Sequence, residues 1–150
     1  MRSRCFAYGS NLDPEQMLAR VASAVALGRA RLAGWSFACN KLGRDGTAKA
    51  NLVRAAGGSV WGVVYELDTV HLAVLDRFEG GYERLELEVE LDDGRGQHAH
   101  VYVSERLAPE PMPLEAYKAL ILRGARAHGL PEEWVRALER LPSRPDPERA

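Results

Sequence analysis

The sequence holds few of the residues that mark disulfide-rich, metal-binding or membrane proteins. Its 150 residues include two cysteines, Cys5 and Cys39, in no metal or redox spacing and both in apolar, strand-like runs. We therefore expect buried free thiols and a cytoplasmic location. No apolar run is long enough to cross a bilayer, and the N-terminus lacks the apolar segment of a signal peptide. A membrane partner is accordingly not expected.

An excess of either charge is also missing. The formal net charge is -1, which gives no electrostatic reason to expect nucleic-acid binding. Lysine is scarce (Lys41, Lys49 and Lys118), and arginine supplies nearly all the positive charge, a bias that by itself indicates nothing about chemistry. The length predicts a single domain over 1–142, and the polar, proline-broken segment 143–150 predicts a flexible tail.

The hydrophobic pattern predicts a largely antiparallel β protein with helices packed around it. Segments 24–32 and 35–40 read as two strands joined at Gly34, and 48–54 and 60–67 as a hairpin turned at 55–58. A helix is predicted to end at Phe78, with Val70, Val74 and Phe78 at helical spacing on its buried face. Leu72 and Leu75 widen that apolar face. The longest helical pattern runs from 114 to 128.

A Gly-Ser-Asn turn near the N-terminus is the first candidate site. It lies between a short apolar strand and Asp13, which can cap a helix that starts at Pro14, with Gln16 in the capping-box position. A strand, a turn and a helix start in this order direct backbone N–H groups at one spot, which suits an anion or a polarised carbonyl. On local pattern alone, a simple polar connector explains the turn equally well.

Glu79 is the second candidate, because a carboxylate at the end of an apolar helix is unfavourably placed. The negative end of the helix dipole, together with desolvation by Phe78 and Tyr82, would raise the pKa of Glu79. The plainer interpretation is a solvated glutamate near a helix cap. His98 and His100 share a strand face but have no evident third ligand, so we expect no metal site. No cofactor-binding motif is present, and we expect no cofactor.

Four segments together resemble one known family, the γ-glutamylcyclotransferases. They are the Tyr-Gly-Ser-Asn signature at 8–11, a central strand at 60–65, a helix end that carries the family's catalytic glutamate at 75–80, and a C-terminal helix and turn at 117–131. Each segment alone is a weak match. Their shared order and spacing make the resemblance specific, and it extends over nearly the whole chain.

This resemblance implies an α+β fold, a closed and mostly antiparallel β-barrel ringed by α-helices, with a pocket at one end. By matching positions, Glu79 would be the catalytic acid and base. The residues implied to bind substrate are Tyr8, Gly9, Ser10, Asn11 and Leu12, with Tyr82, Tyr102 and Tyr117 in secondary roles. The segment 40–49 is shorter than in the family's animal enzymes, which would reshape the side of the pocket that receives the leaving group.

The implied reaction is attack by the substrate's α-amine on its own γ-carbonyl, which yields 5-oxoproline and a free amino acid or amine. The partner would be a small γ-glutamyl compound, with a homodimer as one assembly to consider. Two alternatives remain open at this stage. One is a superfamily member that removes a γ-glutamyl protecting group from a biosynthetic intermediate. The other is a non-catalytic small-molecule binding protein on the same fold.

Overall fold

Five strands and four α-helices form the part of the chain that the structure, a computed structural model, describes: residues 1–147. The strands are β1 (Arg2–Ala7), β2 (Val25–Leu42), β3 (Ala48–Asp68), β4 (Glu83–Leu91) and β5 (Gly96–Val103). The helices are α1 (Pro14–Arg20), α2 (Leu72–Phe78), α3 (Glu115–Ala127) and α4 (Glu132–Glu139). Across residues 1–147, no helix has the length and apolar character that a membrane span requires.

The strands close into a barrel in the order β1-β3-β2-β4-β5. Closure is made by β5 against β1, a parallel pairing at Cys5 and His100, and every other neighbouring pair is antiparallel. The closing contacts are short, one residue pair between β5 and β1 and two between β4 and β2, and the apolar side chains of the strands fill the interior. The predicted α+β fold, a closed and mostly antiparallel barrel with helices around it, is confirmed.

The predicted division of β2 and β3 into shorter strands is wrong. Each strand runs through its glycine cluster, and the two form one long hairpin whose connecting loop spans residues 43–47. The pairing register moves from Ala33 opposite Ser59 to Trp35 opposite Arg54, so residues 55–58 are a bulge in β3 rather than a turn. A glycine cluster is compatible with a turn or with a bulge, so the sequence alone did not distinguish them. A bulge bends a long strand, as the curvature of a small barrel requires.

The predicted helix before Glu79 begins as a 3₁₀ turn, Thr69–His71, and continues as α2. Its buried face differs from the prediction, because Val70 and Phe78 are exposed whereas Leu72 and Leu75 are buried. A helix of two turns can bury only a few side chains against the barrel, and residues three positions apart lie on the same face. The guanidinium of Arg20 lies 4.9 Å from the centroid of the exposed Phe78 ring.

Part of the segment predicted as a flexible tail makes defined contacts. The N–H of Arg144 donates to the carbonyl of Pro113, and its own carbonyl accepts from the N–H of Glu115, each over 2.9 Å. Its guanidinium lies 2.7 Å from the carboxylate of Glu110. These bonds attach the segment to the start of α3. Residues 148–150 of the predicted tail lie outside the described residues.

An ion pair fastens the start of α1 to α3. Asp13 is the N-cap of α1, where its carboxylate accepts from the N–H of Gln16 over 3.0 Å, as predicted. The same carboxylate accepts two bonds from the Arg123 guanidinium, over 2.6 and 2.7 Å, and is 1% exposed. These bonds lower the pKa of Asp13, the arginine being the largest cause. The pair therefore stabilises the ionised form and fixes the chain that follows the Gly-Ser-Asn turn.

We expect Asp13→Asn to lower the free energy of unfolding by about 1 kcal/mol at pH 7, since asparagine keeps the cap but loses the charge. Asp13→Ala should cost about 2–3 kcal/mol, because it loses both. A lowered native pKa adds stability above the ordinary aspartate value of about 4, and this addition disappears as the pH falls through the native value. Urea denaturation should therefore show that Asp13→Asn lowers the free energy of unfolding less at pH 3 than at pH 7. An equal deficit at both pH values would contradict the ionic contribution.

Candidate active site

One cavity forms where the end of β1, the start of β3, the end of α2, the end of β5 and α3 meet. It is lined by Phe6, Ala7, Tyr8, Gly9, Ser10, Asn11, Ala50, Glu79, Tyr82, Tyr102 and Tyr117. The structure thus brings the Gly-Ser-Asn turn and Glu79 into one space, although they are far apart in sequence.

The Gly-Ser-Asn turn is a 3₁₀ turn, Ser10–Leu12, directly after β1. The N–H of Leu12 donates to the carbonyl of Gly9 and that of Asp13 to Ser10, each over 3.0 Å. Within residues 1–147, the N–H groups of Gly9, Ser10 and Asn11 donate to no protein acceptor. A helical start leaves its first N–H groups free in this way. The turn therefore offers unused donors beside the cavity.

The side chain of Gln16 supports this turn instead of completing a capping box. Its amide nitrogen donates to the hydroxyl of Ser10 over 2.7 Å. The capping-box partner, the N–H of Asp13, is already bonded to the carbonyl of Ser10 within the 3₁₀ turn. Gln16 is consequently free to orient the serine hydroxyl at the cavity wall.

Glu79 follows α2 directly, and its carboxylate is bonded to the turn. The side-chain amide of Asn11 donates to Oε1 of Glu79 over 2.6 Å, and Nη1 of Arg20 lies 3.6 Å from the same oxygen. Arg20 also donates to the amide oxygen of Asn11 over 3.0 Å. The three side chains form a closed set in which the amide and the cation both face the carboxylate, whose side chain is only 14% exposed.

The pKa of Glu79 is raised above its ordinary value, and burial is the largest cause. Arg20, the hydrogen bond from Asn11 and the more distant Lys41 act in the opposite direction, since each favours the charged form. Burial and these partners oppose one another, and burial prevails. A carboxyl group shifted in this direction can accept and return a proton nearer to neutral pH than an exposed glutamate.

Four tyrosines enclose the carboxylate. Each hydroxyl makes a hydrogen bond within the protein. The hydroxyl of Tyr8 donates to the carbonyl of Tyr102, and that of Tyr82 donates to the carbonyl of Ala50 over 2.6 Å. The hydroxyl of Tyr102 donates to the carboxylate of Asp76 over 2.6 Å, and that of Tyr117 accepts from the N–H of Ala50 over 3.0 Å. Burial raises the pKa of all four phenols. They are therefore neutral walls and hydrogen-bonding groups, and Glu79 is the carboxylate of the cavity lining.

The glycine pair after Glu79 brings Tyr82 back to the same cavity. The N–H of Tyr82 donates to the carbonyl of Glu79 over 3.1 Å, which closes a tight turn. Gly81 has a φ of 88°, a left-handed conformation that side chains disfavour. The short spacing between Glu79 and Tyr82 therefore does not separate them. Both side chains line the cavity.

Leu12 is the predicted substrate-binding residue that the structure does not bring to the cavity. Its side chain is fully buried between the turn and α3. The helix approaches so closely at Gly124 that no Cβ fits there beside the backbone of Leu12. The side chain of Leu12 therefore holds the turn against α3. The signature motif contains both residues that line the cavity and one residue that packs in the interior.

The sequence did not single out the charged residues of the outer cleft into which the cavity opens. The two spaces share Ser10, Glu79, Tyr82 and Tyr117. Four cationic side chains line the outer part: Arg20, Lys41, Arg44 and Lys49. Two of the three lysines of the chain thus lie at this cleft, although no local sequence pattern predicted that they would meet there.

Fold and site together define a small closed barrel with a cavity lined by free backbone donors, neutral phenols and one carboxylate, that of Glu79. The chain matches the family model "Gamma-glutamyl cyclotransferase, AIG2-like" over residues 5–119. It is 32% identical to the gamma-glutamylcyclotransferase of Bos taurus and 31% identical to that of Mus musculus. Each match extends over 145 residues, 91% of this chain and 77% of the relative.

A solved structure described as gamma-glutamyl cyclotransferase has the same fold, with a TM-score of 0.90 at 27% identity. The match covers 96% of this chain and 90% of that one. Sequence and structure agree over nearly the full length of the described chain. The protein belongs to the gamma-glutamyl cyclotransferase, AIG2-like family, as the resemblance of its four segments indicated.

We expect Arg20→Gln to raise the pKa of Glu79 further, because the substitution removes the nearest cation while burial remains. Carboxyl NMR titration of glutamate-labelled protein measures this shift, with Glu79→Gln identifying the resonance. Arg136→Gln on α4 removes the same charge far from the cavity and should leave the Glu79 titration unchanged. A Glu79 that titrates no higher in Arg20→Gln would contradict the coupling.

Proposed function

We propose that this protein is a γ-glutamyl cyclotransferase that converts a γ-glutamyl amino acid or γ-glutamyl amine into 5-oxoproline and the free amino acid or amine. The observation that carries the proposal is the buried carboxylate of Glu79, bonded to Asn11 beside the unused N–H groups of the turn. Membership of the family supports the same reaction. The inner cavity accepts the γ-glutamyl group, and Glu79 serves as both base and acid.

The proposed reaction begins at the substrate's α-ammonium group. Glu79 accepts one of its protons, and the neutral amine nitrogen attacks the γ-carbonyl carbon to form a five-membered ring. As the C–N bond to the leaving group breaks, Glu79 returns this proton to the departing nitrogen. The new ring nitrogen must also lose its second proton, which Glu79 accepts and passes to the released amine, so that the amine leaves as an ammonium ion. Because the attack is intramolecular, the substrate already supplies most of the proximity that two separate reactants would lack. The protein needs to hold the reactive conformer and to move two protons from the attacking nitrogen to the leaving nitrogen.

Preorganised donors are the second requirement, since negative charge develops on the carbonyl oxygen during the attack. The N–H groups of Gly9, Ser10 and Asn11 are available for this role or for binding the substrate's α-carboxylate. The four phenols complete the enclosure and limit the access of water. Limited access favours cyclisation over hydrolysis of the same carbonyl.

The partner in this proposal is a small γ-glutamyl compound, and the homodimer stays a prediction. A cytoplasmic location is also proposed, supported by Cys5 and Cys39, which are both buried free thiols. Their pKa values are raised by burial to about 12, so neither is a reactive thiolate at neutral pH.

We expect Glu79→Gln to keep the fold and to lower kcat for 5-oxoproline release by about 10²–10⁴-fold, the usual contribution of general acid–base catalysis. The amide can replace the carboxylate in size and can still bond to Asn11. Turnover is measured as 5-oxoproline released from γ-glutamyl-alanine, glutathione and a γ-glutamyl amine.

Glu133→Gln is the matched control, because it removes an exposed carboxylate of α4 and should leave turnover unchanged. Undiminished 5-oxoproline formation by Glu79→Gln would refute the assigned role. Calorimetric binding of these compounds with no product from the unchanged protein would instead favour the non-catalytic binding protein. Turnover confined to a protected biosynthetic intermediate would favour that branch of the superfamily.

A further inference from the structure

Three cations stand at the opening of the cavity and form what we call the basic mouth: Lys41, Arg44 and Lys49. Lys49 has a partner, because its ammonium lies 3.2 Å from the carboxylate of Asp45. Lys41 and Arg44 differ, since no carboxylate of residues 1–147 lies within 4.0 Å of their charged nitrogens. The mouth therefore carries positive charge that the described chain leaves unbalanced.

Both unbalanced cations lie against the turn that follows Glu79. The ammonium of Lys41 donates to the carbonyl of Gly80 over 2.7 Å and lies 4.5 Å from the centre of the Tyr82 ring. The guanidinium of Arg44 donates to the carbonyl of Arg77 over 3.1 Å. A Cβ added at Gly80 would lie only 2.9 Å from Nη2 of Arg44. The absence of a side chain at Gly80 thus lets Arg44 approach the turn next to the catalytic carboxylate.

Holding these cations together has an energetic cost. Lys41 is 5% exposed, and burial lowers its pKa, as does repulsion from Arg106, Arg44 and Lys49. Glu79 is the one carboxylate among the groups that act on it. A buried ammonium group that is surrounded by other cations is stabilised when an anion binds nearby. The arrangement is therefore better satisfied with a negatively charged ligand in the outer cleft.

The hairpin loop gives Arg44 a fixed position. The N–H of Gly43 donates to the carbonyl of Thr47 over 2.9 Å, and that of Gly46 to Gly43 over 3.0 Å. The carboxylate of Asp45 accepts from the N–H and the hydroxyl of Thr47, which lowers its pKa to about 2. These bonds occupy Asp45 within the loop. It adds one negative charge to the rim, fewer than the positive charges there.

The positions of the inner cavity and the outer cleft determine which part of a substrate would lie beside the basic mouth. A γ-glutamyl group in the inner cavity presents its scissile bond at Glu79, which lines both spaces. The leaving group must then extend into the outer cleft. We propose that the basic mouth, with Arg44 as its main contact, binds the carboxylate of the leaving group, so that γ-glutamyl amino acids and peptides are preferred to γ-glutamyl amines. This inference rests on the proposed function.

The test compares γ-glutamyl-alanine with γ-glutamyl-alaninamide, which differ only in the carboxylate. For the unchanged protein we expect kcat/KM to favour the acid by about 10- to 100-fold, mostly through KM, as a charge-assisted contact gives. Arg44→Gln should reduce this preference about tenfold and leave kcat nearly unchanged. Since Arg44 is exposed, added salt should weaken the preference in the unchanged protein.

Arg136→Gln is the matched control, because it removes the same charge on α4 and should keep the acid preference. Arg44→Glu extends the series, and its preference should shift further toward the amide and toward γ-glutamyl-putrescine. Thermal melting of each variant checks the fold. A purely structural role for Arg44 would slow turnover of acid and amide equally, without changing their ratio.

The outcomes separate this inference from the proposed function. Turnover of acid and amide at equal kcat/KM, or an unchanged ratio in Arg44→Gln, overturns the basic mouth as a carboxylate site and leaves the cyclotransferase assignment intact. If no compound yields 5-oxoproline, calorimetry of the two ligands still measures the preference. Tighter binding of the acid, lost in Arg44→Gln, then supports the mouth while the proposed reaction fails. Binding of neither ligand overturns both.

Discussion

The hydrogen bond between the side chains of Asn11 and Glu79 is the contact on which the site depends. It joins the turn after β1 to the end of α2, two segments that are distant in sequence. Closure of the barrel brings these segments to the same end of the fold, and the ion pair between Asp13 and Arg123 holds the turn against α3. Without these long-range restraints, a buried carboxylate would lose its donor and its defined position.

The surroundings of Glu79 balance two opposing needs. Burial favours its neutral form, whereas Arg20 and Asn11 favour the charged form, and burial is the larger effect, so the pKa of Glu79 is raised. A group that both accepts and returns a proton in one cycle requires such a balance. The tyrosines line the same cavity in their neutral form, so they add no competing charge beside Glu79. In the proposed reaction, the acid–base role of Glu79 would thus depend on burial and on its polar neighbours together.

Local sequence signals were informative where a residue's neighbours in the chain determine its environment. The turn at Gly9, the cap at Asp13 and the unfavourable position of Glu79 could all be recognised in this way. The bulge at 55–58, the exposure of Val70 and the burial of Leu12 could not, because each is set by contacts with other strands or with α3. The resemblance to a family supplied the closed barrel, which periodicity alone did not.

The basic mouth could not be predicted from the sequence, because it also depends on contacts between distant segments. Lys41 and Lys49 lie on opposite strands of one hairpin, and they become part of a site only when the loop closes over the turn after Glu79. The proposed proton transfer and the proposed recognition of the leaving group therefore involve different segments. Glu79, the proposed base, lies at the end of α2, whereas the cations lie on a hairpin whose loop, residues 43–47, contributes no side chain to the hydrophobic core. If both proposals hold, substitutions in this loop could alter the accepted leaving group without altering the surroundings of Glu79.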